Sequence, residues 1–159
     1  MIGQICFDTA LMEAAKEVFE TMVFVNIGRT EPPVADIGAE SLLSTITFKG
    51  NIEGCLGVCC NKECAKIIAL NMLGMDPSEE IGVGEICDAM GEISNMVMGS
   101  VKSRVQNIIT NIEVSIPSVV SGRELQNNLG DRSHKYLLKL NIEEKYVAEL
   151  SLVFREKIK

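Results

Sequence analysis

The chain has 159 residues, a formal net charge of -7, 47% hydrophobic residues and only 4% aromatic ones, with no Trp. That composition excludes a disordered chain, and the acidity argues against nucleic acid or an anionic membrane as the main partner. No apolar run approaches the roughly 18 residues of a spanning helix, and "MIGQICFDTALMEAAKEVFE" turns acidic too early for a signal peptide. The expectation is one cytoplasmic domain over residues 1–159, its core filled by aliphatics and methionines.

In chain order, Asp8 to Asn26 reads as a helix, with Leu11, Ala15, Val18 and Met22 on one face and Asp8 as its cap. A Pro-containing loop, "TEPPVADIGAE", follows. Two strand-like runs, "SLLSTITF" and "IEGCLGVCC", are joined by a turn at Gly50-Asn51. A short helix, "KECAKIIALNMLG", starts after Asn61 as N-cap and stops at Gly74. A loop through Pro77 leads to a long helix from Glu85 to Ile109. After "IEVSIPSVVSG", two alternating runs, "SHKYLLKLNI" and "KYVAELSLVF", make a hairpin around Glu143-Glu144. Helix plus strand pair therefore occurs twice. The predicted fold is α+β: an antiparallel sheet with two long helices packed on one face and a pseudo-twofold internal repeat.

Six cysteines invite a metal reading, because Cys55, Cys59, Cys60 and Cys64 cluster in "GCLGVCCNKEC". The spacing is not that of the C-x2-C pairs of zinc sites. On a strand, Cys55 and Cys59 share one face and Cys60 takes the other. They are read as small buried hydrophobes, with no metal site and no bound cofactor. His134, the one histidine, alternates with Tyr136, Leu138 and Leu140 and is read as a strand residue.

The stretch "DAMGEISNMVMGSVKS", Asp88 to Ser103, carries the chemistry. At about 100° per residue, Asp88, Glu92, Asn95, Gly99 and Lys102 fall within about 80° of one another. Met90, Ile93, Val97 and Val101 take the opposite side. The polar residues form one stripe turned away from the core. Gly99 lies within it, although a helical glycine costs around 1 kcal/mol relative to Ala. A solvated face has no use for that glycine. A partner that approaches the backbone closely does.

"DAMGEISNMVMG" resembles the D/S-x3-E-x2-N signature of the CheC, CheX and FliY chemotaxis phosphatases, and its last glycine also fits their pattern. "IPSVVSG", with Pro117 and Gly122, resembles their downstream proline-containing strand and loop. "GNIEGCLGVCCNKECAKIIALNMLG" is similar to their Gly-rich strand and short helix. The resemblance runs from about residue 10 to 155. It implies an enzyme that removes the phosphoryl group from the aspartyl phosphate of a CheY-type response regulator. Glu92 and Asn95 are the implied catalytic pair: Glu92 docks on the partner's active-site lysine and Asn95 orients the attacking water. Asp88, Gly99 and Lys102 are the expected partner-binding residues. The magnesium ion of the reaction is expected in the response regulator.

Aligning the two long helices sets Glu13 on Asp88, Glu17 on Glu92 and Glu20 on Asn95, with Phe24 on Gly99. A glutamate in place of the asparagine repels an acyl phosphate, and Phe24 blocks close approach. One live site is therefore expected, as in the single-site, CheX-like members, and Glu13, Glu17 and Glu20 are read as surface residues. The resemblance further implies a homodimer through the sheet, with "SHKYLLKLNI" or "VAELSLVF" as the edge. The competing reading is a non-catalytic module that docks on a receiver, or on another signalling protein, through the same stripe. Pure docking has no special need for an amide at its centre.

Overall fold

The computed structural model describes residues 7–30, 37, 40–130 and 132–156. Most of the Pro-containing loop expected after residue 29 lies outside them. Helix α1, Phe7–Val18, buries Leu11, Ala15 and Val18 as its periodicity predicts. It then continues into a π-helical turn over Phe19–Val23. The wider i→i+5 turn slips the phase of the buried face. Val23 is therefore buried while Met22, expected in the core, is 45% exposed. The helix ends at Val23 rather than at Asn26, because Phe24 adopts a left-handed conformation (φ 59°) and returns its N–H to the Phe19 carbonyl. Asp8 does not cap. It lies in the first turn of α1 and accepts a hydrogen bond from Arg29.

Seven strands of the described residues form one antiparallel sheet. They are β1 (Ile27–Arg29), β2 (Ser41–Lys49), β3 (Ile52–Asn61), β4 (Glu113–Val114), β5 (Ser118–Gly122), β6 (His134–Ile142) and β7 (Tyr146–Glu156). The order is β1-β6-β7-β3-β2, and both β4 and β5 pair with the outer side of β2. The β2–β3 hairpin turns at Gly50-Asn51, with Lys49 opposite Glu53. The β6–β7 hairpin turns at Glu143-Glu144, both left-handed (φ 55° and 57°), and the Lys145 N–H bonds to the Ile142 carbonyl at 3.0 Å. Two consecutive left-handed residues make a type I′ turn, whose twist suits a hairpin. Asn26 steadies it: its carbonyl accepts from the Glu143 N–H at 2.9 Å and its N–H donates to Glu143 Oε1 at 3.0 Å.

The expectation that "VAELSLVF" supplies a sheet edge is overturned. β7 lies between β3 and β6 and pairs along both sides. Its run Leu150, Ser151, Leu152, Val153 and Phe154 is accordingly buried on both faces. β6 is bordered by β1 only over Leu140–Ile142 among the described residues.

Helix α2, Lys62–Met72, and helix α3, Val83–Val105, lie with α1 on one face of the sheet. Alternate strand residues, including Leu42, Ile46, Leu56, Cys60, Leu140, Leu150 and Leu152, meet them in one core. α3 is shorter at its C-terminal end than the Glu85–Ile109 expected. A turn follows Val105, in which the N–H groups of Ile108 and Ile109 both reach the Val105 carbonyl at 2.9 Å. The opposite sheet face is covered as well. Leu43, Cys55, Cys59, Ser151 and Val153 are buried there, and Asn127 donates to the Cys55 carbonyl and to Ser151 Oγ, each at 3.1 Å.

The cysteines split between faces as strand alternation predicts. Cys60 is in the helix-facing core and Cys55 and Cys59 are outside it, all of them free and buried. Burial, with a smaller contribution from the Glu149 charge paired across from it, pushes the Cys59 thiol up to about 11. These thiols are protonated at neutral pH and serve as small apolar groups.

Both ends of α2 behave as read. Asn61 Oδ1 accepts from the Cys64 N–H at 2.8 Å. At the far end Gly74 is left-handed (φ 66°), its N–H bonds to the Asn71 carbonyl at 3.2 Å and the Met75 N–H to the Leu70 carbonyl at 2.9 Å. That is a Schellman closure. We expect Asn61→Ala to remove the cap and lower stability by about 1 kcal/mol. Urea unfolding followed by circular dichroism checks it; an unchanged midpoint would mean that the strand entering α2, not the cap, fixes its start.

Candidate functional site

α3 is built to lie close to the sheet. Its inward residues Ala89, Gly91 and Ser94 are small and buried, interleaved with Met90, Ile93, Val97, Met98 and Val101. Ser94 Oγ meets Ser44 Oγ of β2 at 2.7 Å, both residues fully buried, and Ser94 also donates to the Gly91 carbonyl at 2.9 Å. A Cβ on Gly91 would come within 3.3 Å of Pro117 Cγ, so the chain ahead of β5 rests on the helix backbone there. These contacts fix the rotation of α3 about its axis.

With that rotation, Asp88, Glu92, Asn95, Gly99 and Lys102 are all exposed. The structure brings the five together on one face of one helix, as the 3.6-residue period requires. Among the described residues, the side chains of Asp88, Glu92, Asn95 and Lys102 take part in no hydrogen bond or ion pair. A Cβ added at Gly99 would meet nothing within 4 Å. Among the described residues, no packing therefore requires a glycine at that position.

The flank of α3 toward α1 is different. Arg104 Nη1 lies 3.2 Å from Glu13 and Nη2 lies 2.7 Å from Glu17, while Ser100 Oγ donates to Glu17 at 3.1 Å. Glu20 has Lys16 at 4.0 Å. The acidic face of α1 is thus engaged by its own neighbours, and its helix ends at Val23, just before the residue aligned with Gly99. Arg104 is a residue that sequence reasoning missed. On the helical wheel it lies about 120° from Glu92 and about 180° from Asn95, and only the packing of α1 against α3 reveals its role.

An exposed carboxylate, an amide one turn later and a glycine one turn beyond form a rigid, preorganised edge. An amide offers a donor and an acceptor and can hold a water through both without changing its protonation. Among the described residues, no group of three or more His, Cys, Asp or Glu side chains is arranged to hold a metal ion. No helix of the described residues is long and apolar enough to cross a membrane.

The chain is similar to the CheY-P phosphatase CheX of Thermotoga maritima, with 32% identity over 88 residues, which is 54% of this chain and 55% of that protein. The alignment thus spans about half the length of that curated relative. In fold the chain is similar to the chemotaxis protein CheX from Vibrio vulnificus, with a TM-score of 0.79, 22% identity, and coverage of 95% of this chain and 97% of that one. It is also similar to a Borrelia burgdorferi chain from a CheX-CheY-BeF3-Mg complex, with a TM-score of 0.74, 16% identity, and coverage of 96% and 100%. The family model described as chemotaxis phosphatase CheX matches residues 42–141, more than half of the chain and all of α3 with the strands around it. The chain belongs to the CheX chemotaxis phosphatase family.

Proposed function

We propose that this chain is a phosphatase acting on the aspartyl phosphate of a CheY-type response regulator, with its site on the exposed stripe of α3. The observation that carries the reading is the contrast between the two helices. On α1 Glu13 and Glu17 are tied up by Arg104 and Ser100, whereas among the described residues Glu92 and Asn95 have no partner, and they stand beside a glycine that no packing of those residues requires. The Thermotoga relative is named for this activity, and the Borrelia structure holds CheY with the related protein. Both support the assignment.

An aspartyl phosphate is an acyl phosphate, so its leaving group is a carboxylate and needs no protonation by the phosphatase. Water attacks phosphorus in line, the bond from phosphorus to the aspartyl oxygen breaks, and inorganic phosphate and the free carboxylate result. Asn95 holds the water on that line, supplying position rather than a shifted proton affinity. Glu92 docks by charge against a lysine of the receiver and fixes the register of the helix over the phosphorylated pocket. Gly99 lets the receiver approach the helix backbone, and Asp88 and Lys102 contact it at the two ends of the stripe. Magnesium, held by the receiver, neutralises charge on the phosphoryl oxygens. The protein acts in the cytoplasm as a homodimer assembled through its sheet, at a strand other than β7.

Asn95→Ala is expected to lower the dephosphorylation rate of a phosphorylated receiver by at least tenfold while shifting stability by no more than about 0.5 kcal/mol, the usual range for an exposed position. Phosphate release and thermal melting, measured on one preparation, decide it; wild-type turnover in the variant sinks the assignment. Glu92→Gln is expected to weaken binding, because removing one member of a charge pair buried on association often costs 2–5 kcal/mol. Calorimetry against a beryllofluoride-activated receiver measures this, and unchanged affinity would remove the docking role from Glu92. Gly99→Ala separates function from stability most cleanly. It should stabilise the fold by up to about 1 kcal/mol, as Ala is the better helix former and its Cβ meets open space, yet it should raise KM for the phosphorylated receiver. A stabilised variant with wild-type KM would show that no partner backbone comes close at this position.

A further inference from the structure

Ile116 is 88% exposed, more than any other large hydrophobic side chain among the described residues. Single exposed apolar residues are common on protein surfaces, so exposure alone carries little. Its setting carries more. β4 pairs Glu113 with Lys49 and Val114 with Phe48, and the next residue, Ser115, continues the ladder: its N–H bonds to the Thr47 carbonyl at 2.9 Å and its Oγ accepts from the Thr47 N–H at 3.0 Å. Pairing resumes with Ser118 opposite Thr45. Ile116 and Pro117 therefore stand together opposite Ile46, one residue too many for the ladder. This is a β-bulge, a place where a sheet tolerates proline and where side chains are re-aimed.

The bulge also brings Ile116 close to α3. Ser115 and Ser118 fall opposite Thr47 and Thr45, on the sheet face away from the helices, and Pro117 rests on Gly91 of α3. With the alternation broken between them, Ile116 is joined directly to the residue that rests on α3, which brings its backbone to the edge of that helix. Gly91 lies about 40–60° around the helix from Asn95 and Asp88, on the flank of the stripe opposite Arg104. Ile116 is held on one side by the Ser115 bonds and on the other by Pro117 against Gly91. Its backbone is thus tethered on the flank of the polar stripe and its side chain is exposed.

The stripe itself contains no apolar side chain: it is Asp88, Glu92, Asn95, Gly99 and Lys102. Charged and amide contacts give register and specificity, but their desolvation offsets much of their attraction. A preorganised apolar anchor is what usually supplies net affinity. We propose that Ile116 is the apolar docking residue for the receiver domain, seating on its surface beside the phosphorylated pocket while Glu92 and Asn95 enter that pocket. The inference rests on the proposed phosphatase reading and names a residue that acts in binding, not in the chemical step.

The test is a split between KM and kcat. Ile116→Ala, Ile116→Leu and Asn95→Ala are compared with the wild type for phosphate release from a phosphorylated CheY-type receiver of the same genome. Affinity for the same receiver activated with beryllofluoride and magnesium is measured in parallel. Ile116→Ala is expected to raise KM and Kd about tenfold with kcat within about twofold, and Ile116→Leu to restore most of the loss. Asn95→Ala should do the reverse, losing kcat with little change in Kd. If both Ile116 variants keep wild-type KM and Kd while Asn95→Ala is inactive, the docking role is overturned and the phosphatase reading stands. If the wild type neither binds nor dephosphorylates the receiver, both fall together. A third outcome also overturns it: Ile116→Ala weakening self-association in sedimentation with KM unchanged would make this residue a contact between copies of the chain.

Discussion

The orientation of α3 on β2 is the constraint from which the site follows. Apolar burial alone defines only a broad arc of a helix, and several rotations of α3 would satisfy it almost equally well. The buried Ser44–Ser94 hydroxyl pair at 2.7 Å is directional and tolerates far less, because turning the helix would take Ser94 away from the buried Ser44 hydroxyl. The Pro117–Gly91 contact blocks rotation from the other flank. Asn95 is the next residue after Ser94, about 100° further round the helix. The buried hydroxyl that anchors the helix thus aims the exposed amide that follows it.

The two long helices show how one scaffold treats the same kind of polar face in two ways. In α3 the helix runs on for three turns past Glu92 and leaves its polar groups open to the outside. In α1 a π turn and a left-handed Phe24 stop the helix early, and Arg104 reaches across to hold Glu13 and Glu17. Exposed ion pairs of this sort stabilise by at most about 1 kcal/mol each. Their larger effect is to occupy the carboxylates and to hold α1 against α3 at one angle.

Much of this was legible in the sequence where a local rule governs. The stripe of α3 follows from a helical period, the start of α2 from Asn61 and its end from Gly74, and the cysteine faces from strand alternation. What escaped was set by non-local contacts or by short elements. The π turn at Phe19–Val23 leaves no compositional mark, since its residues are as apolar as any helix end, so an unbroken helical period puts Met22 in the core where the structure exposes it. β1 and β4 have three and two residues, too few to show an alternation. The central place of β7 is decided by pairing with β3, although its unbroken apolar run, LSLVF, is the mark of a strand buried on both faces. Asn127 and Arg104 act through residues 24 to 91 positions away, beyond the reach of any motif.

The position of β7 has a consequence for how the protein is made. It is the last of the described strands in chain order, yet it fills the middle of the sheet and pairs with β3 and β6 along nearly its whole length. During synthesis, β2 and β3 emerge as a hairpin whose inner edge has no partner until β7 leaves the ribosome. The β3 and β6 edges that face β7 must wait for it to close the seam. Long-range pairing of this kind slows folding and leaves the waiting edge open to other chains. Assembly of the sheet therefore waits on the last of its described strands, and until that strand pairs the β3 edge is open to any extended segment that can hydrogen-bond to it.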